Sequence, residues 1–284
     1  LLEREQAASG TVETWETPEG IARGFAAGPY TAVTERVDGR DVHVYMLSDD
    51  KAISPQKLAR MIADSMAAQE ERLGPFPFPS YGVVECPSML PAQTWYAASQ
   101  QTFILADSNA FDFEHGNLPL WGHEMSHGWW GNTVSQGGPG GKWVGEALAQ
   151  LGALVAIETL DGPAALGEFL GFSRSGYSPS QSALGYFQLV RDGKDQVLAQ
   201  MGMGPGTHTM ANSKGVWVYH MLRQVVGDEV FFGVLRQVIE DLSPGVLTVE
   251  DLRQRFVAAA PEHDLEAFFA QWLDRTGAPI FDVH

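Results

Sequence analysis

Two histidines four residues apart, with a glutamate beside the first, constrain this chain more than anything else in it: His123-Glu124-Met125-Ser126-His127. On a helix, residues i and i+4 share a face, so both imidazoles can grip one ion. A third ligand has to come from elsewhere. Glu146, in Trp143-Val144-Gly145-Glu146-Ala147-Leu148-Ala149, sits early in a second stretch (144–160) that is nearly all apolar, with Glu158 its only other charge. A carboxylate in such a helix needs a partner, and a metal supplies one. Two imidazole nitrogens and one carboxylate oxygen suit Zn²⁺ at about 2.0–2.2 Å, and three protein ligands leave open the fourth position that a catalytic zinc uses. Glu124 then stands beside the ion, where it can take a proton from the attacking water. The alternative, two surface histidines on an ordinary amphipathic helix, leaves the Glu146 segment unexplained.

Composition narrows the rest. With 284 residues, 44% of them hydrophobic, the chain can bury one large core or two lobes around a cleft. A net charge of −17 argues against nucleic acid and anionic membrane surfaces as partners. No apolar run reads as a membrane span and no signal segment is visible, so membrane insertion is not expected and the cell compartment stays open. The single cysteine, Cys86, excludes an internal disulfide and has no base partner in view, so it reads as a buried strand residue.

Taken in order, residues 1–30 are polar without a clear period and read as a leader or the tail of a missing upstream domain. Because the chain begins Leu1-Leu2, it is expected to be a piece of a longer or processed protein. Residues 31–37 and 42–47 alternate as strands around Asp38-Gly39-Arg40, a hairpin signal. Ser54-Pro55 opens a helix that Gly74 closes, with Leu58, Met61, Ile62 and Met66 on its core face. Residues 81–87 read as a short buried strand with Glu85 near its end, and 102–105 as another. His115 falls in a loop. The metal helix is expected over 118–130. Residues 137–142 lack the spacing of a phosphate loop, and 171–176 do not fit Gly-x-Ser-x-Gly. From residue 164 onward the pattern is helical: 164–172, 213–226, 228–242, 249–259 and 265–275.

His123-Glu124-x-x-His127-x-Trp129-Trp130-Gly131-Asn132, with eighteen residues between His127 and Glu146 in a Trp-Val-x-Glu-Ala-x-Ala frame, resembles the aminopeptidase N family of zinc metallopeptidases. The resemblance runs from about residue 75 to 279. It implies an α+β fold: a gluzincin, thermolysin-like catalytic domain over 31–284. Its mixed strand–helix N-terminal lobe would be 31–117 and its all-helical C-terminal lobe 118–284, with zinc in the cleft between. The family's saddle-shaped β domain would be missing except for about 20–48, and its C-terminal helical domain missing entirely. The cofactor implied is one Zn²⁺ on His123, His127 and Glu146, and the partner a peptide or small substrate with a free amino terminus.

Two further residues enter through the resemblance. The family carries a Gly-x-Met-Glu-Asn segment on an edge strand, whose glutamate binds the substrate's amino group. Gly82 and Glu85 match it, with Val84 and Cys86 in place of methionine and asparagine. The other reading of Glu85 is a solvated strand end. The family's Tyr-x-Lys-Gly segment, whose phenol donates to the oxyanion, aligns with Asn212-Ser213-Lys214-Gly215, so Asn212 stands in the tyrosine's place. His208, Tyr186 and Tyr219 are nearby substitutes. The expectation is a zinc peptide hydrolase, slow or unusually specific, with Glu124 as general base. The alternatives are a silent binding scaffold that retains zinc, and a different zinc hydrolase such as an endopeptidase or epoxide hydrolase.

Overall fold

A computed structural model describes residues 3–7, 10–14, 24–37, 39–88, 96–114, 117–171, 183–202, 204 and 206–277. His115, Asp38, Ser175 and Pro279, each part of a reading above, lie outside these. The chain's first strands, β1 (Glu3–Ala7) and β2 (Gly10–Thr14), pair antiparallel, where the sequence shows no strand period.

The N-terminal lobe is built on a five-stranded sheet in the order β3-β4-β5-β7-β6. β3 (Thr31–Val37) and β4 (Arg40–Met46) form the expected hairpin, with Gly39 turning at φ +83°. From β4 the chain crosses over through α1 (Pro55–Leu73) to the parallel strand β5 (Ser80–Cys86). Ser54 caps α1 by accepting from the Lys57 N–H, Pro55 supplies the preset φ of the first turn, and Gly74 ends the helix. Leu58, Ile62 and Met66 are buried against the sheet. β7 (Phe103–Asp107) runs parallel to β5, and β6 (Ala97–Ser99) closes the sheet as an antiparallel edge. β5 is therefore an interior strand, which matters for Glu85.

Among its described residues the second lobe is mainly helical, with one parallel strand pair, β8 (Val134–Gln136) with β9 (Gly245–Leu247), and an isolated bridge from Trp130 to Val134. Three-residue strands leave no period to read in a sequence. α2 (Leu118–Ser126) is capped by Asn117 and stops at His127, short of the expected 118–130, because Trp129 and Trp130 turn back into the core instead of continuing the spiral. α3 (Gly141–Leu160) is rich in alanine and leucine, both strong helix formers, and is buried over nearly its whole length. By length and composition α3 would pass for a membrane span, which the sequence reading did not expect. Yet 83% of its apolar window is covered by the rest of the protein, as in a central core helix.

α2 lies directly on α3. A Cβ on Gly152 would overlap Ser126 Oγ and Gln69 Oε1, and one on Gly122 would come within 3.1 Å of Ala153 Cα. Two residues without side chains thus let the backbones approach and set the floor of the cleft. Gly162-Pro163 opens α4 (Gly162–Phe169) instead of merely ending α3. α5 (Ala183–Arg191) and a short turn α6 (Thr207–Thr209) follow, and α6 passes into a π-helical stretch, Met210–Gly215. α7 (Val216–Asp241) kinks at Gly227, so the two helices expected there are joined across a break. α8 (Val249–Ala259) and α9 (Leu265–Trp272) complete the lobe.

Candidate metal centre and active site

His123 projects from α2, His127 from its C-terminal cap and Glu146 from the second turn of α3, which the Gly122 and Gly152 contacts press together. One ligand atom from each lies within 4.8 Å of the other two. His123 Nε2 is 3.6 Å from Glu146 Oε2, and the two imidazoles meet edge to face with centroids 4.9 Å apart. Donors around a tetrahedral zinc stand about 3.3–3.5 Å from one another, so the set fits the ion with little adjustment.

The outer contacts favour the same conclusion. His123 Nδ1 is 2.8 Å from Gln150 Oε1, and His127 Nδ1 is 2.8 Å from the Trp130 carbonyl. Both oxygens accept, so each ring carries its proton on Nδ1 and presents a bare Nε2, the form a metal ligand needs. Burial, with the His123 ring beside it, pushes His127 below the usual imidazole range and keeps it neutral. Burial acts to lower His123 as well, but Glu146 and Glu124 outweigh it and raise the ring above its ordinary value. In turn, burial acts to raise Glu146, yet the His123 and His208 rings hold its carboxyl far below the carboxylate range.

Glu124 is 7% exposed and faces the same cleft as the three ligands, a space of about 680 Å³. Its backbone carbonyl accepts from the buried Tyr81 hydroxyl at 3.3 Å. The Trp-Trp-Gly-Asn run after His127 has separate tasks. Trp129 packs edge-on against Phe76 at 5.0 Å, the Trp130 carbonyl fixes His127, and Asn132 donates to Ser99 Oγ (3.2 Å) and to the Gln100 carbonyl (3.1 Å). That last pair ties the metal helix to strand β6.

Of the other residues singled out by sequence, Asn212 lines the cleft, carried there by the π-helical turn. Wide turns of this kind are frequent at functional sites. Its Oδ1 is buried without a hydrogen-bond partner among the described residues. Gly215 permits the turn, since a Cβ there would overlap Trp143 and Ala147 of α3. Lys214 is buried on Asp195 and the Arg275 carbonyl, away from the cleft lining. Tyr219 is buried and stacked on Trp143 at 5.3 Å, and Tyr186 donates to the Gly277 carbonyl, so neither phenol lines the cleft. His208 does line it, with Nδ1 3.4 Å from Glu146 Oε2.

Glu85 is not brought to the site. It is neither solvated, at 1% exposed, nor on the edge strand; it sits at the end of interior β5 and does not line the cleft. Its carboxylate accepts from the Leu47 N–H at 2.7 Å and from the Ser108 hydroxyl, with Lys51 Nζ at 3.6 Å. The strand that borders the cleft is β6, with Tyr96, Ala97, Ala98 and Ser99 along the lining. Sequence reasoning missed Lys142, which meets Glu146 Oε1 from one turn earlier on α3, and Gln150 behind His123. The first could have been found from its i, i+4 spacing to Glu146.

A model of the peptidase family M1 domain matches residues 74–272. Aminopeptidase N of Lactococcus lactis is 24% identical over 187 residues, covering 64% of this chain and 21% of that protein. Human aminopeptidase RNPEPL1 is 25% identical over 235 residues, covering 79% and 32%. Among solved structures, an M1 zinc metallopeptidase from Deinococcus radiodurans, a mutant bound to a Tyr-Ser-Ala substrate, superposes with a TM-score of 0.62 at 18% identity. That match covers 89% of this chain and 54% of its own. The chain spans about half the length of that structure, and a third or less of the two curated relatives. The sheet-bearing lobe and the helical lobe are thus those of a known fold, and with a family model matching most of its length the chain belongs to peptidase family M1.

Proposed function

We propose that this chain is a zinc-dependent peptide hydrolase of aminopeptidase type, with His123, His127 and Glu146 as ligands and Glu124 as general base. The observation that carries the reading is the convergence of three metal-donor atoms within 4.8 Å on the floor of a cleft that Glu124 also faces. Zinc, when bound there, supplies Lewis acidity toward a scissile carbonyl and acidifies water. The rest falls to the chain. Glu124 removes a proton from the attacking water and delivers it to the leaving amine. Asn212, which lines the cleft, offers an amide N–H to the oxyanion, replacing the phenol of the family pattern. Gln150 and Trp130 keep both histidines in the ligating tautomer, and Lys142 holds the second oxygen of Glu146 away from the ion. Glu85 has no part in the reaction, since its carboxylate is engaged inside the first lobe. A peptide substrate is in keeping with the Tyr-Ser-Ala bound by the Deinococcus relative. The division into a catalytic domain over 31–284, with lobes 31–117 and 118–284, is proposed on the same footing.

The experiment is peptide turnover with and without a chelator, alongside Glu124→Gln. The amide keeps the shape of the side chain but cannot take the proton. Zinc should therefore stay stoichiometric while kcat falls by about 10² to 10⁴. Unchanged turnover in a zinc-loaded Glu124→Gln protein would remove Glu124 from the mechanism. One observation favours a second reading, a weak or silent scaffold that retains zinc: Lys142 sits directly on a proposed ligand, and the cleft wall carries Asn212 where the family pattern has a phenol. Under that reading zinc binds but no peptide is cut.

A further inference from the structure

We infer that Lys142 sets substrate choice: its ammonium binds a carboxylate that the peptide carries within about one residue, roughly 3.8 Å from Cα to Cα, of the bond to be cut. This deepens the hydrolase reading and rests on it for its kinetic arm.

Lys142 stands in the first turn of α3 and lines the cleft, with a side chain 34% exposed. Helix energetics do not account for a lysine there. The N-terminal end of a helix disfavours a cation. A Lys–Glu pair spaced i, i+4 with the lysine first is the weaker of the two orders, and such pairs add little to a helix in either. A fixed positive charge beside Glu146 also opposes any metal ion that this carboxylate is to hold. The residue thus works against the helix and the metal site alike, and a ligand of opposite charge would offset both.

The ammonium is not used up by Glu146. It carries three N–H groups, and one meets Glu146 Oε1. The single negative charge of Glu146 is divided among Lys142, His123 at 3.6 Å and His208 at 3.4 Å. With a zinc ion bound, the described lining sums to one positive charge, Zn²⁺ and Lys142 against Glu124 and Glu146. An anion can therefore enter here although the chain as a whole carries −17. Position limits which carboxylate it is. Lys142 Nζ and His123 Nε2 meet opposite oxygens of Glu146, so the ammonium lies one carboxylate away from the donor cluster. Two kinds of peptide carboxylate come that close to a bond at the cluster: the C-terminal one of a dipeptide, and the side chain of an aspartate or glutamate next to the bond. Both offer an ammonium the same charge-assisted hydrogen bond.

The test measures kcat/KM on the zinc-loaded protein for matched pairs: a dipeptide against its carboxamide, and dipeptide amides with Glu against Gln before or after the bond. Calorimetric affinity for phosphinic analogues of the same pairs gives a readout that needs no turnover. The carboxylate member is expected to be favoured by about tenfold in at least one pair, and which pair shows it identifies the source. Lys142→Met should bring that ratio below about twofold while Lys142→Arg keeps it, with zinc content checked by elemental analysis. Any loss through Glu146 lowers both members of a pair alike and cancels in the ratio. Lys142 lies away from the Gly122 and Gly152 contacts that join α2 to α3, so these substitutions address recognition and not packing. Ratios under about fivefold in every pair overturn the inference, as does one that stays above about twofold in Lys142→Met, or in Lys142→Gln if the methionine variant fails to fold. Absence of turnover on every substrate defeats the hydrolase reading alone, and the affinity ratios then decide recognition. Binding of no analogue more tightly than about 1 mM overturns the inference as well.

Discussion

The floor of the cleft, made by α2 and α3, and its walls, made by β6 and the π-helical turn, differ in how much freedom the fold leaves them. On the floor, every proposed metal ligand projects from a helix end or helix face, and Gly122 and Gly152 let the two helices touch. A larger residue at either glycine would push Glu146 away from the histidines. The walls are held so at one point only among the glycines named above, Gly215, where a Cβ would overlap Trp143 and Ala147 of α3. β6 is a three-residue edge strand, and Asn212 rides on a turn whose width is set by one glycine against Trp143. The floor carries the His-Glu-x-x-His and Glu146 pattern on which the family resemblance rests, whereas the proposed departure from that pattern, Asn212, stands in a wall. Chemistry that depends on metal geometry is thus held by packing, while substrate choice is left to segments that can change without unfolding the core.

The sharpest way to break this comparison is at the floor. His123→Ala/His127→Ala should abolish stoichiometric zinc, measured by elemental analysis, while circular dichroism stays that of a folded protein. Zinc retained at one per chain would mean that the ion sits elsewhere and that floor and walls have been assigned to the wrong roles. Next in size is the wall at Asn212. An oxyanion donor is typically worth about 10² to 10³ in kcat, so Asn212→Tyr is expected to raise kcat by up to that factor at unchanged zinc content. A flat or falling kcat would show that the wall already has an adequate donor. A smaller effect is expected one layer behind the floor. Gln150→Ala leaves the His123 Nδ1 proton buried without an acceptor, and zinc affinity by competition with a chromogenic chelator should weaken about 10- to 100-fold. Equal affinity would mean that helix packing alone orients the ring.

The smallest effect lies away from both regions. Glu85→Gln removes a buried charge that serves Leu47, Ser108 and Lys51. It should lower the free energy of unfolding by about 1–3 kcal/mol in urea titration and leave the free-to-acetylated substrate ratio unchanged. A shifted ratio would return Glu85 to the cleft wall.

The same division explains what could be read from the residues alone. The closeness of His123 and His127, two of the proposed metal ligands, was legible because i, i+4 spacing translates directly into shared position on a helix. The capped ends of α1 were legible because Ser54, Pro55 and Gly74 act locally. Glu85 was not placed correctly because edge and interior strands differ in their neighbours, and β5 gains its second neighbour, β7, from seventeen or more residues further on. Nothing in Tyr81–Cys86 announces that. β6 itself is too short to show a period, and the π-helical turn depends on Gly215 meeting a tryptophan about seventy residues earlier. Contacts of that range leave no trace in a local pattern.

The apolarity of α3 has a bearing on how the protein is made. As the chain leaves the ribosome, α1 and α2 are already available to cover one side of this helix. The π-helical turn and α7, which cover another, begin roughly fifty residues after Leu160. At about 5–20 residues per second, that leaves a bare, membrane-grade helix waiting on the order of 3–10 s for its cover. Yield in a cell-free translation system should therefore depend on chaperone supply during that interval more than on the stability of the finished fold.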